Sequence, residues 1–451
     1  MGKERLVIPK ERMLGLLTAA FSRRFGPVEV IDFGYKELSP PNNRKSIVYK
    51  VDPMEFKSSG VSKVPQIPPC AGFKIYKEGY VDEHETEKRM LSLGDQLVIS
   101  IGGRNIEVYP EFYSKKVPEC DESRVIIREY MTNPSLLELI LDKDKKGESV
   151  EWRDVNGTLR SLALLHVYTP WITDTIETFS QVDASYVSEN FSTHFGRLYY
   201  VSTGKELSEK EENEIRRAFS NLSARYLFKD DLIKVISGDL SACPHHATND
   251  RLLDAGGTAI GYLMDDLALY SYPIFSKVKK DGKNMSLEQR GNETLKEYLE
   301  HFSCFADVLK FPNDLEKKFS FDFLLTSWLV ASLRGTIRGA SSLLAFNYPH
   351  IRENLSRILR IPILRAKDCP SWVPRIGEPA GVTQNMIENE AEERFKTLDE
   401  IVSILGNEAG IAEVIKKIPR PFRINNSVPR KKIQHFIYGN NKVRRVGGAA
   451  P

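Results

Sequence analysis

The sequence predicts an α+β protein of two lobes: an antiparallel β-sheet lobe carrying one helix, then a larger, mostly helical lobe. Three observations carry this expectation. The chain has 451 residues, more than one compact domain usually holds. Up to Ile127 the apolar residues mostly alternate, the period of strands with two unlike faces. After Asn133 they recur at three and four positions, the period of helices.

Leu14, Leu17 and Phe21 place a first short helix over Met13–Phe21. Val28–Phe33 and Ser46–Val51 read as strands joined through the turn-rich Ser39-Pro40-Pro41-Asn42-Asn43-Arg44. Four prolines within residues 52–69 suit a flexible insertion. Ala71–Lys77 is a third strand, with Phe73 and Ile75 on one face and Lys74 and Tyr76 on the other. Asp82–Leu93 is a helix, and Leu97–Ile101, Asn105–Tyr109 and Val125–Ile127 extend the sheet to five or six strands. Thr132-Asn133-Pro134 then breaks the chain, and Ser135 with Glu138 has the spacing of a capping box opening a helix. The first lobe is thus placed at residues 1–132.

The second lobe, residues 133–413, holds helices at Leu159–His166, Leu207–Phe228, Ser286–Phe302, Phe319–Phe346, Ile351–Leu359 and Asn385–Leu405. His166, at the end of an apolar helix, reads as a satisfied core residue, and Trp328 likewise as core. Arg334 and Arg338, four apart on one helical face, suit either an anionic substrate or a solvated face, with the latter preferred.

Composition narrows the class. A hydrophobic content of 41% and a charged content of 28% are those of a soluble globular protein. No apolar run is long enough to span a bilayer, and the start lacks a signal-peptide core, so a cytoplasmic location is expected. The five cysteines are scattered without a C-x-x-C pair, against a disulfide framework or a zinc knuckle. The net charge of +3 conceals ten basic residues after Glu413, where no acidic residue follows. Residues 414–451 therefore read as a basic, loosely ordered tail, with an anionic partner as the functional alternative.

Two aspartates follow short apolar runs beside glycines, Gly238-Asp239 and Leu252-Leu253-Asp254 with Gly256-Gly257 after it. Phosphoryl transfer needs one carboxylate to receive a hydroxyl proton and another to hold the metal bridging the phosphates. Asp and Gly are also ordinary turn residues after strands. A strand lysine, Lys74, followed by the helical carboxylates Glu83, Glu85 and Glu87 is the pairing that sets a lysine on nucleotide phosphates. Lys74 as a mere exposed strand lysine is the alternative.

Taken in order, strand hairpin, Lys74, helical Glu, the turn at Asn133, a helix ending Leu165-His166, Gly238-Asp239-Leu240, Leu253-Asp254 and Asp265-Asp266-Leu267-Ala268 resemble the aminoglycoside phosphotransferase and choline kinase superfamily. The resemblance spans residues 28–345. It implies a bilobal protein-kinase-like fold and an ATP-dependent kinase, which transfers the γ-phosphate to a hydroxyl of a small molecule with Mg²⁺. It implies Asp239 as catalytic base and Asp254 as metal ligand. It places Lys74 on the phosphates, oriented by Glu87 (or Glu83 or Glu85), and the backbones of Glu129 and Met131 on adenine. Asp266 matches a later family aspartate of mainly structural role.

The chain departs from that pattern at three points. Ser237 replaces a histidine, no Gly-rich loop is present, and Pro244-His245-His246 stands where the family keeps a metal-binding asparagine. Either His245 or His246 takes its place, which would favour Mn²⁺, or Asn249 swings in, or Mg²⁺ relies on Asp254, phosphates and water. These departures keep a second function in view, a catalytically impaired pseudokinase that binds nucleotide or a partner.

Overall fold

The computed structural model describes residues 8–38, 46–58, 67–94, 96–101, 103–176, 179–238, 240, 246–312, 315–343 and 384–425. It begins with helix α1 (Lys10–Phe25) and strands β1 (Val28–Glu37), β2 (Ser46–Ser58) and β3 (Ala71–Tyr76). Helix α2 (Val81–Leu93), the hairpin β4 (Val98–Ile101) and β5 (Arg104–Glu107), the short α3 (Pro118–Glu122) and strand β6 (Val125–Glu129) follow. The sheet is four-stranded in the order β1-β2-β3-β6, antiparallel throughout.

Strand alternation explains how this sheet is covered. Phe73, Ile75, Val125 and Ile127 join one core with Leu17 and Phe21 of α1. Tyr76 and Ile126 point the other way and join a second core with Met90 and Leu91 of α2. With helices on both faces, every residue of β3 is buried, Lys74 included. The expected sheet of five or six strands is corrected here: among the described residues β4 and β5 pair only with each other. Leu97, Ile99 and Val108 bury against the large core instead of continuing the sheet.

That large core belongs mainly to the helical part. Helix α4 (Leu136–Lys145) opens with the expected capping box, Glu138 N–H donating to Ser135 Oγ at 3.3 Å. A short strand β7 (Val150–Glu151), helix α5 (Thr158–Val167), α6 (Thr169–Thr175), α7 (Ala184–Thr203) and α8 (Glu209–Tyr226) come next. Strands β8 (Ile233–Ile236) and β9 (Ala259–Tyr262) pair antiparallel, and α9 (Met264–Leu267) follows directly. Strands β10 (Val278–Lys280) and β11 (Lys283–Asn284) pair with each other, and β10 also with β7. The lobe is completed by α10 (Leu287–Leu309), α11 (Leu315–Lys318), α12 (Phe321–Leu343), α13 (Gln384–Leu405) and α14 (Ile411–Lys416). Helix α5 packs on α10, and α12 packs on α7, α8 and α13. Trp328 of α12 is fully buried and its indole N–H donates to Leu267 O at 2.9 Å.

Helices α6 and α7 were absent from the sequence expectation. The helix expected at Ile351–Leu359 lies outside the described residues. The tail also differs from expectation between residues 414 and 425, which pack rather than hang free. Ile415, Ile418, Phe422 and Ile424 are buried, and Asn425 N–H donates to Val201 O at 2.8 Å. Those apolar residues recur through the basic stretch and give it a face to bury. Residues 426–451 lie outside the described ones. Among the described residues no helix is long and apolar enough to cross a membrane.

Candidate functional site

Lys74 stands on the face of β3 turned toward α2, two positions before Tyr76. Its Nζ lies 2.6 Å from Glu87 Oε2 and 3.4 Å from Asp254 Oδ1. Three elements therefore converge on one ammonium: a strand, a helix, and a turn 180 positions away in sequence. Burial alone would pull the Lys74 ammonium down. The Asp254 and Glu87 carboxylates outweigh it, and its pKa is raised. Of the three helical glutamates, Glu87 is the one against Lys74, with its side chain fully buried. Glu85 instead approaches His84 Nδ1 at 3.4 Å.

Asp254 keeps about a third of its side chain accessible (33%), unlike Glu87. Its Oδ1 also accepts the Gly256 N–H at 3.0 Å, which orients the carboxylate. His246 Nε2 lies 3.9 Å from Oδ2. Asp239 and His245 lie outside the described residues. Asn249 does not turn toward this cluster. Its Oδ1 accepts the Gly157 N–H at 2.7 Å before α5, and its Nδ2 faces Arg153 O at 3.4 Å. The alternative in which Asn249 replaces the missing asparagine is therefore set aside.

The segment that precedes Asp239 is anchored from below. Asp266, fully buried, accepts the Ser237 N–H at 2.7 Å and the Gly238 N–H at 3.3 Å. His166 Nε2 lies 3.3 Å from Asp266 Oδ2, and His166 Nδ1 is 2.9 Å from the Tyr298 hydroxyl. Burial lowers the His166 pKa against the pull of Asp266 and raises that of Tyr298. A neutral imidazole fits, with Tyr298 donating to Nδ1 and Nε2–H donating to the carboxylate. Gly238 has φ +87°, and a Cβ there would overlap the Gly257 carbonyl oxygen. The two aspartate-bearing segments thus touch backbone to backbone.

At the strand leading out of the sheet lobe, Glu129 N–H donates to Glu111 O at 2.8 Å. The Glu129 side chain is taken by Arg251, a residue the sequence reasoning missed. Arg251 pairs with Glu129, reaches Glu107 Oε2 at 2.6 Å and lies 3.7 Å from Met131 Sδ. It ties β5, β6 and the segment before Asp254 together. Nothing in a one-dimensional motif marks it, because its partners are 122 and 144 positions distant. Arg334 corrects another expectation. It is buried rather than solvated, with Nη1 2.7 Å from Asp265 Oδ1 and 2.9 Å from the Tyr262 hydroxyl.

Among the described residues no three carboxylate, imidazole or thiol side chains gather into a metal cage. Mg²⁺ usually takes one or two protein carboxylates and fills its shell with phosphate oxygens and water. The oxygen of Asp254 fits that role, and the nearby imidazole of His246 would tilt the site toward Mn²⁺.

No family model and no curated protein matches the sequence. Among solved structures, choline kinase from Cryptosporidium parvum Iowa II is similar at TM-score 0.45 and 10% identity, over 85% of this chain and 94% of that one. The gentamicin–APH(2″)-IIa complex is similar at TM-score 0.40 and 12% identity, over 80% and 98%. The chain's own elements give the architecture. A four-stranded antiparallel sheet presents a strand lysine to a helical glutamate, and a larger helical part supplies the aspartate opposite.

Proposed function

We propose that the chain is an ATP-dependent phosphotransferase that moves the γ-phosphate to a hydroxyl of a small molecule. The observation that supports it most is the junction at Lys74 Nζ, 2.6 Å from Glu87 and 3.4 Å from Asp254. A buried lysine shared between a helix carboxylate and a half-open carboxylate of another segment has little structural purpose. It does suit a cation that must meet polyphosphate.

In this reading Lys74 holds the phosphates and Glu87 keeps the ammonium aimed. The backbone of Glu129 and Met131 receives adenine where β6 leaves the sheet. Asp254 would hold Mg²⁺ with His246 beside it, and the ion would neutralise charge on the phosphate oxygens. Asp239 would accept the proton of the acceptor hydroxyl, the segment before it braced by Asp266 and His166. Positioning and charge stabilisation supply most of such catalysis, so a firm brace matters more than a strong base.

The decisive experiment measures ADP release with Mg²⁺-ATP or Mn²⁺-ATP across a panel of small hydroxyl compounds. Asp239→Asn should stop turnover while leaving nucleotide affinity nearly intact, and Asp254→Ala should remove metal-dependent nucleotide binding. Nucleotide affinity indifferent to Asp254→Ala would sink the assignment.

A second reading, an impaired pseudokinase serving as a nucleotide- or partner-binding module, is favoured by one observation. Asn249 is committed to Gly157, so it does not supply the amide that the family uses at the metal. Heat protection by nucleotide, without ATP consumption on any acceptor, would select this reading. The basic residues beyond 425 would add an anionic partner, which truncation after Asn425 and salt-dependent binding would test.

A further inference from the structure

Tyr76 occupies the centre of the candidate site without any motif requiring a tyrosine there. Its hydroxyl donates to Glu87 Oε2, the same oxygen that Lys74 Nζ reaches at 2.6 Å. Glu87 Oε1 is buried and makes no hydrogen bond among the described residues. Two donors on one oxygen therefore hold the whole carboxylate. Lys74 Nζ also lies 4.8 Å from the centroid of the Tyr76 ring. On its far side the hydroxyl is 2.8 Å from the point where Gly256 would carry a Cβ, and Asp254 Oδ1 is 3.3 Å from that point.

A lysine that must turn its N–H groups to phosphate cannot remain the only partner of a buried carboxylate. Losing that partner would leave Glu87 unsatisfied in a dry site, at a cost typical of buried charges. A second donor removes the conflict. A tyrosine hydroxyl keeps its proton at neutral pH, so it remains a donor to Glu87. The absence of a side chain at Gly256 lets the ring approach the Asp254 turn.

We propose that Tyr76 is a positioning residue for the nucleotide phosphates, holding Glu87 through its hydroxyl while Lys74 is engaged and spacing β3 from the Asp254–Gly256 turn. This rests on the phosphotransferase reading. The test is calorimetric titration of the full chain with Mg²⁺-ATP and, separately, with adenosine. Tyr76→Phe should weaken ATP roughly tenfold, the scale of one hydrogen bond to a charged group, and leave adenosine unchanged. Gly256→Ala should push the hydroxyl aside and weaken ATP similarly.

Wild-type protein with no preference for ATP over adenosine would overturn the phosphotransferase reading and this inference with it. A wild-type preference that Tyr76→Phe leaves intact would overturn the inference alone. So would an equal loss of adenosine affinity in Tyr76→Phe.

Discussion

Two buried ion pairs in this chain have nearly the same length and opposite character. Lys74–Glu87 spans 2.6 Å with side-chain exposures of 10% and 0%, and Arg334–Asp265 spans 2.7 Å with 3% on both sides. The arginine pair is closed. Its guanidinium meets the Tyr262 hydroxyl as well as the carboxylate, and Asp265 more than offsets burial to hold the arginine's pKa up. The lysine pair is open, since Nζ has a third neighbour in Asp254, which faces solvent with a third of its surface. A planar fork suits fixed geometry, whereas a compact ammonium can change partners. A buried pair marks a site only where one member has somewhere else to go.

The largest expected effect breaks the closed pair. Arg334→Met leaves Asp265 buried without its cation and should cost about 3–5 kcal/mol in denaturant titration. Adding Asp265→Leu should restore much of that, and neither change should alter nucleotide affinity in the folded fraction. The open pair should respond the other way. Lys74→Arg should lower kcat/KM about a hundredfold, the scale of a lost transition-state donor, since the bulkier fork does not fit beside Tyr76 and Glu87. Its stability cost should be the smaller of the two. A third change tests the tie between the lobes. Arg251→Ala removes a bridge to Glu107 and Glu129 and should cost roughly 1–2 kcal/mol, together with weaker adenosine binding in the same titrations.

The smallest effect comes from pH, through a residue beside the closed pair. His194 of α7, 3.1 Å from Ser341 Oγ, has its pKa driven well below the ordinary value by burial and by the cations of Arg197, Arg338 and Arg334. The unfolded chain takes up this proton near pH 6.5, and the native chain resists it. Stability is therefore fully present above about pH 6.5 and should fall as the pH drops below it, by about 1 kcal/mol down to pH 5.5. Melting temperatures at the two pH values check this, and His194→Asn should reduce the difference.

Much of this was legible in the sequence where local periodicity decides. Alternation put Lys74 and Tyr76 on one face of β3, and the Ser135–Glu138 box placed the start of α4. Helix α7 escaped notice although Val187, Phe191, Phe195 and Leu198 share a stripe, because its Tyr, Val, Thr and Ser residues disfavour helix intrinsically. The choice of Glu87 over Glu83 and Glu85 needed the packing of α2 on the sheet. Arg251 and Arg334 needed partners brought from other elements. For Arg334 the four-residue spacing to Arg338 was visible, but its burial under Tyr262 was not.

The contact between Gly238 and Gly257 has a consequence of its own. Side chains can adjust a gap by changing rotamer, but a glycine Cα set against a carbonyl oxygen cannot. The gauge between the segment leading to Asp239 and the turn after Asp254 is therefore the thickness of main chain, with no adjustable part. A methyl group at position 238 would have to widen that gauge as well as accept a left-handed backbone. The spacing of the two aspartate-bearing segments is thus set before any side chain is chosen.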